Sequence, residues 1–416
     1  MPIFSLICFT VFFVLLISGL RKTADFLSPA RIFGMLWAVV LGIVQLKQSH
    51  LQILWSPFDW FVALLALITF LLGIYISFII NLDRPFLHVT KIRKSIRDVG
   101  LNEINLFRFI IIYSFIYIIC FIAEWQIEGY LPLFTSDPDR ARTLFGIFGL
   151  HLIVSSANVI LFLVIQYFIF VKANYQKKGV LIILFILALA NYVLIVQRYG
   201  FFILLMMAFC LFYYSGKRIK PRTIIIFTIT VILVIVGIQS IRTTELFTTY
   251  VFINSEMKFS PRYAEFTIPY MYISMNMENF VKYYSHIENH SFGFFTFDFL
   301  TALTGIKHWL AEYYNFEKFK MYIGGYNTFP FYWPYYLDFG ITGLAIIPFI
   351  IGFIISEIYY YLHRNPGLVV LALTTVGFAV IMISFNSDPL TRLDMMFNFI
   401  VIVLAQFLFL NKTRKA

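Results

Sequence analysis

Apolar runs of about 20 residues recur along the whole chain and are separated by short polar segments. A helix that crosses the hydrocarbon core of a bilayer needs about 20 mainly apolar residues, so each run is a candidate span. The sequence therefore predicts an all-α polytopic integral membrane protein, a single membrane domain over residues 1–416 with about eleven transmembrane helices. The predicted spans cover roughly 3–20, 32–46, 58–80, 106–123, 151–171, 179–196, 200–214, 224–241, 339–361, 368–385 and 395–410.

The composition supports this interpretation. Hydrophobic residues make up 61% of the 416-residue chain and charged residues 13%, whereas soluble domains usually carry about 25% charged residues. The distribution of Lys and Arg predicts the orientation, because one alternate set of short loops carries 19 of these residues and the other set 5. Cytoplasmic loops are enriched in Lys and Arg, so the first set is predicted to be cytoplasmic. The N-terminus and the long loop 242–338 are then outside, and the C-terminus is inside.

The net charge of +11 is explained by this topology, so no nucleic-acid partner is expected. Two outer segments are candidates for function, namely residues 124–150 and the large extracytoplasmic loop 242–338. A connection as long as the second is usually functional in a compact protein. Within it, residues Tyr270 to His290 are predicted to form one or two amphipathic helices that lie on the membrane.

The stretch from Tyr322 to Gly343 runs into an apolar helix that is predicted to start near Phe339. Its aromatic residues are typical of a membrane–water interface or of a surface on which sugars stack. Asp338 lies where the helix is predicted to begin, so both a general base and an N-cap are open roles. The aromatic residues are Tyr326, Phe329, Phe331, Tyr332, Trp333, Tyr335 and Tyr336.

Six arginines are predicted on the outer face, at span ends or in loops. A guanidinium group is a planar donor fork that matches phosphate oxygens, so these residues favour binding of a multiply charged anion. Arginines at the interface that pair with Asp or Glu are the alternative. The six residues are Arg140, Arg142, Arg198, Arg242, Arg262 and Arg392.

Asp137 and Asp139 look like the acidic pair that holds a divalent metal in some membrane glycosyltransferases. Their arginine neighbours favour salt bridges instead, so no metal and no other cofactor is expected, with Mg²⁺ or Mn²⁺ at this pair as the alternative. The chain contains no phosphate-binding glycine motif, GxSxG or HExxH, which disfavours a nucleotide-driven pump.

A set of short motifs resembles the oligosaccharide repeat unit polymerases, the Wzy-type O-antigen and capsular polysaccharide polymerases of bacteria. The resemblance spans most of the chain, and its strongest part is Gly325–Thr328 followed by Tyr336–Gly340 and Gly343. Its other motifs are Gly129–Phe134, Ala141 with Arg142, Gly149–His151, Arg198 and Gly293–Thr296.

The resemblance implies a multi-pass glycosyltransferase of the bacterial inner membrane that acts in the synthesis of lipopolysaccharide or capsule. It implies transfer of the growing glycan from undecaprenyl diphosphate to the distal sugar hydroxyl of the next lipid-linked repeat unit, on the outer face of that membrane. The implied partners are the undecaprenyl-diphosphate-linked oligosaccharide, the lipid bilayer and a chain-length regulator protein.

The hypothesis for the site assigns the leaving diphosphate to Arg142, Arg198 and Arg242, because cations stabilise the charge that develops as its bond breaks. Asp338 is the candidate base. The supporting roles go to Arg140 and Arg262 near the diphosphate, Tyr326 and Asn327 at sugar or phosphate, and His290 and Glu256 as alternative bases.

Three other functions stay open: an O-antigen ligase, a metal-dependent lipid-linked-sugar glycosyltransferase and a non-enzymatic lipid-linked oligosaccharide flippase. A flippase predicts polar residues in the middle of several spans, whereas the first, third, eighth and tenth predicted spans are almost wholly apolar.

Overall fold

The structure is a computed structural model, and it describes residues 2–21, 24–98, 100–172, 174–197, 199–216, 245–287, 289–313 and 328–410. These residues form α-helices, three short 3₁₀-helices and connecting segments, with no β-strand among them. The first ten helices are α1 (Pro2–Gly19), α2 (Pro29–Val44), α3 (Pro57–Asn81), α4 (Val89–Asp98), α5 (Glu103–Glu128), α6 (Pro138–Leu144), α7 (Leu150–Val154), α8 (Ala157–Phe170), α9 (Tyr175–Leu194) and α10 (Tyr199–Ser215). The others are α11 (Glu245–Asn254), α12 (Thr267–Tyr283), α13 (Asp298–Thr304), α14 (Ile306–Tyr313), α15 (Trp333–Arg364), α16 (Leu368–Ile383) and α17 (Leu393–Leu408).

Five helical segments in the described part of the chain are long enough and apolar enough to cross a membrane. The all-α prediction is confirmed there, and ten of the eleven predicted spans coincide with helices. The predicted span 224–241 lies outside the described residues. The number of spans and the orientation stay predictions. The five segments are Pro57–Asn81, Glu103–Phe134, Leu150–Phe170, Tyr175–Leu194 and Trp333–Arg364.

The chain divides into two compact units, each made of segments that are distant in sequence. The single domain predicted over 1–416 stays a prediction. The first unit comprises Met1–Pro85, Thr243–Tyr360 and Val380–Leu393, and the second comprises Phe86–Arg242, Tyr361–Ala379 and Asp394–Ala416.

Local signals start and end several of the helices. Ser56 and Asp59 form a capping box at the start of α3, in which each side chain bonds the other residue's main-chain N–H. Asn102 caps α5 and Asn174 caps α9, and each side chain accepts a hydrogen bond from the main-chain N–H three residues later. Gly129 ends α5 in the left-handed conformation.

In the first unit, α3 and α15 approach each other closely at two glycines. A Cβ at Gly73 would overlap the main chain of Phe349, and a Cβ at Gly352 would overlap the main chain of Phe70. Small residues allow the backbones of membrane helices to touch in this way. The contact packs the part of α15 that follows Gly340 against α3.

The predicted loop 242–338 is largely helical in its described part, which contains α11 to α14. The helix α12 packs against α2 and α3, and its residues 274–281 are all buried. The prediction of an amphipathic helix lying on the membrane is therefore wrong for α12. The physical reason is that its polar residues Asn276 and Glu278 have hydrogen-bonding partners inside the first unit.

The helix α15 begins at Trp333, earlier than the predicted start near Phe339. It is interrupted at Gly340, whose φ of 58° and ψ of −142° are outside the helical region. Such a conformation is open to glycine and costly for other residues. The residues before the break and the long apolar part after it therefore point in different directions, and this break shapes the candidate site.

In the second unit, α8 and α10 are the most enclosed of the described helices that are apolar. Gln166 on α8 and Gln406 on α17 exchange hydrogen bonds of 2.6 and 3.1 Å between their amides. Paired amides satisfy each other, so these polar groups can lie among apolar helices at low cost.

Candidate functional site

The break at Gly340 leaves main-chain carbonyls of α15 without their usual partners four residues later. A segment that follows α12 donates hydrogen bonds to these carbonyls. The N–H of Ser291 donates to the carbonyl of Leu337 at 3.2 Å, and the N–H of Phe292 donates to the main-chain carbonyl of Asp338 at 3.1 Å. The glycine break thus creates acceptors, and residues 290–292 dock on α15 because buried backbone groups must be paired.

Asp338 holds the same segment through its side chain. The carboxylate is fully buried and accepts hydrogen bonds from the hydroxyl of Ser291, from the N–H of Phe295 at 3.1 Å and from the N–H of Thr296 at 2.5 Å. It does not cap a helix that starts at Phe339, since α15 is already helical from Trp333. Because both oxygens are occupied, the geometry favours a positioning role for Asp338 over that of a base.

His290 is the residue that this docking places at the break. Its Nδ1 lies 3.2 Å from the carbonyl oxygen of Leu337, and its ring meets the ring of Tyr336 edge to face at 5.9 Å. A carbonyl only accepts, so Nδ1 carries a hydrogen, and in the neutral ring the lone pair is then on Nε2. The Nε2 atom faces Gly340, where an added Cβ would lie only 2.7 Å away. The His290 side chain is partly exposed.

The aromatic residues at the start of α15 form a packed core. Phe280 of α12 contacts the rings of Tyr332 at 4.9 Å, Tyr336 at 5.7 Å and Trp333 at 5.9 Å. The interpretation as an interfacial or sugar-stacking surface is therefore wrong for the buried members, because Tyr332, Trp333 and Tyr336 pack on Phe280, and the other two pack elsewhere in the protein interior. These are Phe331, Tyr332, Trp333, Tyr335 and Tyr336.

A buried ion pair lies in the same unit, between the end of α2 and α12. Glu278 is fully buried; its carboxylate is paired with the ammonium of Lys47 and accepts from the N–H of Ile53 at 3.3 Å. Burial lowers the pKa of Lys47, and the nearby Glu278 opposes that effect. A buried carboxylate is costly unless it is paired, so Glu278 fixes the segment after α2 against α12.

The second unit contains a different arrangement of imidazole and carboxylate. Glu124 of α5 is fully buried, and both of its oxygens lie 3.2 Å from Nδ1 of His151. Glu124 also accepts from the N–H of Ile147 at 2.9 Å. The carboxylate therefore holds the segment before α7 as well as the ring, in the way that a carboxylate orients the histidine of a catalytic or metal site.

The remaining predicted residues lie apart from these groups or outside the described residues. Arg140 and Arg142 are on the short helix α6, where Arg140 is exposed and Arg142 is half-buried. Glu256 and Arg262 are exposed in the first unit. Arg198, Arg242, Tyr326 and Asn327 lie outside the described residues. Their assigned roles stay predictions.

Asp137 caps α6 by accepting from the N–H of Arg140 at 3.2 Å, which is a structural use of one member of the proposed metal pair. Among the residues that the structure describes, no three His, Cys, Asp or Glu side chains gather in a way that could hold a metal ion.

Sequence reasoning did not single out Lys47, Glu124 or Glu278. A usable signal existed for Glu124, because a carboxylate at the end of the apolar run of α5 needs a partner. No local pattern distinguishes Glu278 from the other carboxylates of the region 242–338, and only the packing of α12 does so. Comparisons with protein family models, with curated proteins and with solved structures gave no match to this chain.

Proposed function

We propose that the protein is a membrane glycosyltransferase that joins lipid-linked oligosaccharide repeat units, with His290 as its general base. The observation that carries the proposal is the hydrogen bond from Nδ1 of His290 to the carbonyl of Leu337, which leaves Nε2 as the acceptor. Apolar helices suited to a membrane and the resemblance to repeat unit polymerases of the bacterial inner membrane support the choice of substrate.

In the proposed reaction, the distal sugar hydroxyl of one lipid-linked unit gives its proton to Nε2 of His290. The hydroxyl oxygen attacks the anomeric carbon of the growing glycan. The bond from that carbon to the undecaprenyl diphosphate breaks, and the electron pair leaves with the diphosphate. A base at the hydroxyl contributes about 10²- to 10⁴-fold in rate.

Asp338 is assigned the positioning role in this scheme, because it holds residues 291–296 directly after the base. Arg142, Arg198 and Arg242 remain the hypothesis for the cations that stabilise the leaving diphosphate, with Arg140 and Arg262 in support. The scheme uses no metal ion.

The test measures glycan length with the purified full-length protein in proteoliposomes that contain an undecaprenyl-diphosphate-linked oligosaccharide. We expect His290→Gln to lower the rate of chain extension about 100-fold or more. His286→Gln is the matched control, because His286 is exposed on the preceding 3₁₀-helix and is not part of the docking at Gly340.

Three results would redirect the proposal. Normal extension by His290→Gln would remove His290 as the base. Transfer of the lipid-linked unit across the bilayer, with no new glycosidic bond, would assign a flippase. Loss of extension with EDTA, restored by Mg²⁺ or Mn²⁺, would favour the metal alternative with Asp137 and Asp139.

A further inference from the structure

Three lysines gather around the short segment between α2 and α3. Lys47 belongs to the segment itself. The ammonium of Lys258 donates to the carbonyl of Lys47 at 2.8 Å, and that of Lys282 donates to the carbonyl of Leu51 at 2.5 Å. Residues from three distant parts of the chain therefore bring their positive charges to one place. We call Lys47, Lys258 and Lys282 the lysine cluster.

The charge of the lysine cluster exceeds that of its carboxylate partner. Glu278 pairs with Lys47, and the bonds from Lys258 and Lys282 described above go to uncharged carbonyl oxygens. Burial lowers the pKa of Lys47, Glu278 opposes this effect, and the charges of Lys282 and Lys258 lower the pKa further because like charges repel. An anion at this place would relieve the repulsion. Each ammonium group has three donors, and the bonds described here use one of them.

The lysine cluster lies next to the start of a helix that is suited to cross a membrane. The segment 47–53 directly precedes α3, one of the helices long and apolar enough to cross a membrane. Trp55 and Trp60 contact each other edge to face at the start of α3, and the ammonium of Lys47 lies 4.6 Å from the ring of Trp55. Tryptophan is enriched at the membrane–water interface, where phosphate groups of lipids are concentrated.

Below this level, α3 presents an exposed apolar stripe. Its members recur at helical spacing and so lie on one face of the helix. Acyl chains are the natural partners of such a surface in a helix that spans a bilayer. The stripe consists of Phe58, Phe61, Ile68, Leu72 and Tyr75, with Leu54 exposed just before the helix.

We propose that the lysine cluster binds the phosphate of an anionic phospholipid whose acyl chains lie along the exposed stripe of α3. The combination of excess positive charge with an adjacent apolar stripe matches a molecule that has one anionic phosphate and two apolar chains. The proposal goes beyond the proposed function, because it requires neither a glycan nor a diphosphate carrier.

The experiment titrates the full-length protein in detergent with phosphatidylglycerol and with phosphatidylcholine, and counts retained lipid by native mass spectrometry. We expect the Lys258→Gln/Lys282→Gln variant to bind phosphatidylglycerol about 30-fold more weakly, since each lysine near a headgroup contributes about a fivefold factor. Binding of phosphatidylcholine should not change. The Lys258→Arg/Lys282→Arg variant should retain the affinity for phosphatidylglycerol.

The control is Lys307→Gln, which removes the same kind of charge from the same unit, at a side chain that is paired with Asp298. Equal affinity of the wild type and of Lys258→Gln/Lys282→Gln would overturn the proposal, as would an equal loss in Lys307→Gln. Competition by inorganic phosphate that is as strong as that by phosphatidylglycerol would assign a soluble anion instead of a lipid. If the double glutamine variant does not fold, the single Lys258→Gln variant gives the same comparison.

Discussion

Both units place a histidine against a glycine with positive φ, but they hold the imidazole differently. In the first unit, Nδ1 of His290 faces the carbonyl of Leu337, and in the second, Nδ1 of His151 faces the carboxylate of Glu124. The glycines also meet different atoms of the ring. A Cβ at Gly340 would lie 2.7 Å from Nε2 of His290, whereas a Cβ at Gly146 would lie 2.9 Å from Cγ of His151.

These contacts suit His290 to accept a proton, whereas the pair of His151 and Glu124 is suited to hold a segment of the chain in place. The uncharged carbonyl of Leu337 accepts the hydrogen of Nδ1, so in the neutral ring of His290 the Nε2 atom can accept a proton. Both oxygens of Glu124 lie within hydrogen-bonding distance of Nδ1 of His151, and Glu124 also accepts from the N–H of Ile147. We infer that the pair in the second unit mainly holds the segment before α7 on α5.

The largest expected effect comes from closing the space in front of Nε2. Gly340→Ala puts a methyl group 2.7 Å from Nε2 of His290 and forces a φ of 58° on a residue with a side chain. We expect chain extension to fall about 100-fold or more, as for loss of the base. Glycan length in proteoliposomes is the measurement.

Two glycines serve as controls for Gly340→Ala. Gly305 also has a positive φ, of 76°, but nothing lies within 4 Å of an added Cβ, so Gly305→Ala reports backbone strain without a clash. Gly146→Ala presses on the ring carbons of His151 and should cost stability rather than extension. Equal loss of extension in all three variants would show that strain, and not access to Nε2, is responsible.

A second effect distinguishes the positioning residue from the base. Asp338→Asn replaces one of the two acceptor oxygens by an NH2 group, so the N–H of either Phe295 or Thr296 loses its acceptor, and we expect a loss of about 2–3 kcal/mol in stability. Extension should slow, but its pH profile should keep the shape of the wild type, because the proposed base is unchanged. A variant Asp338→Asn that has lost the acidic limb of the profile would instead identify Asp338 as the base.

The carboxyl group of Asp388 should affect the stability of the fold only over a limited range of pH. Asp388 lies between α16 and α17, and burial raises its pKa to about 6 although Tyr335 and the N–H of Leu390 donate to it. The folded protein therefore holds the proton more tightly than the unfolded chain, in which the pKa is near 3.8. The stabilisation is complete below pH about 4 and is lost as the pH rises through about 6.

Thermal unfolding in detergent between pH 4 and 7 measures the effect of Asp388. We expect the wild type to lose stability across this range relative to Asp388→Asn, which does not titrate. Asp298→Asn is the control, because Asp298 is partly exposed and paired with Lys307. Parallel stability curves for the wild type and Asp388→Asn would show that Asp388 stays charged in the fold.

Much of the fold was predictable, because length and apolarity are local properties of the sequence. The runs that became α3, α5, α9 and α15 each contain enough apolar residues to indicate a helix without knowledge of their neighbours. The region 242–338 was not predictable in the same way. The helix α12 is buried although it carries Asn276 and Glu278, because their partners come from distant segments.

The candidate site was predictable in its residue types but not in its division of roles. His290 and Asp338 were both possible bases, and no local pattern tells which one has occupied oxygens or a fixed tautomer. That distinction follows from the break of α15 at Gly340. Gly343 lies only three residues later, so the sequence does not show which glycine interrupts the helix. The pairing of Glu124 with His151 could be recognised only from the fold of the second unit.

The smallest expected effect tests the pair in the second unit directly. A double-mutant cycle of Glu124→Gln and His151→Gln isolates the interaction between the two side chains. Glu124→Gln keeps an oxygen that can accept from the N–H of Ile147, so the remaining loss belongs to the bond with His151. We expect a coupling energy of about 1 kcal/mol in unfolding, and a smaller loss of extension per folded protein than for His290→Gln. If the cycle shows no coupling in stability while His151→Gln abolishes extension, the roles of the two histidines are reversed, and the second unit holds the base.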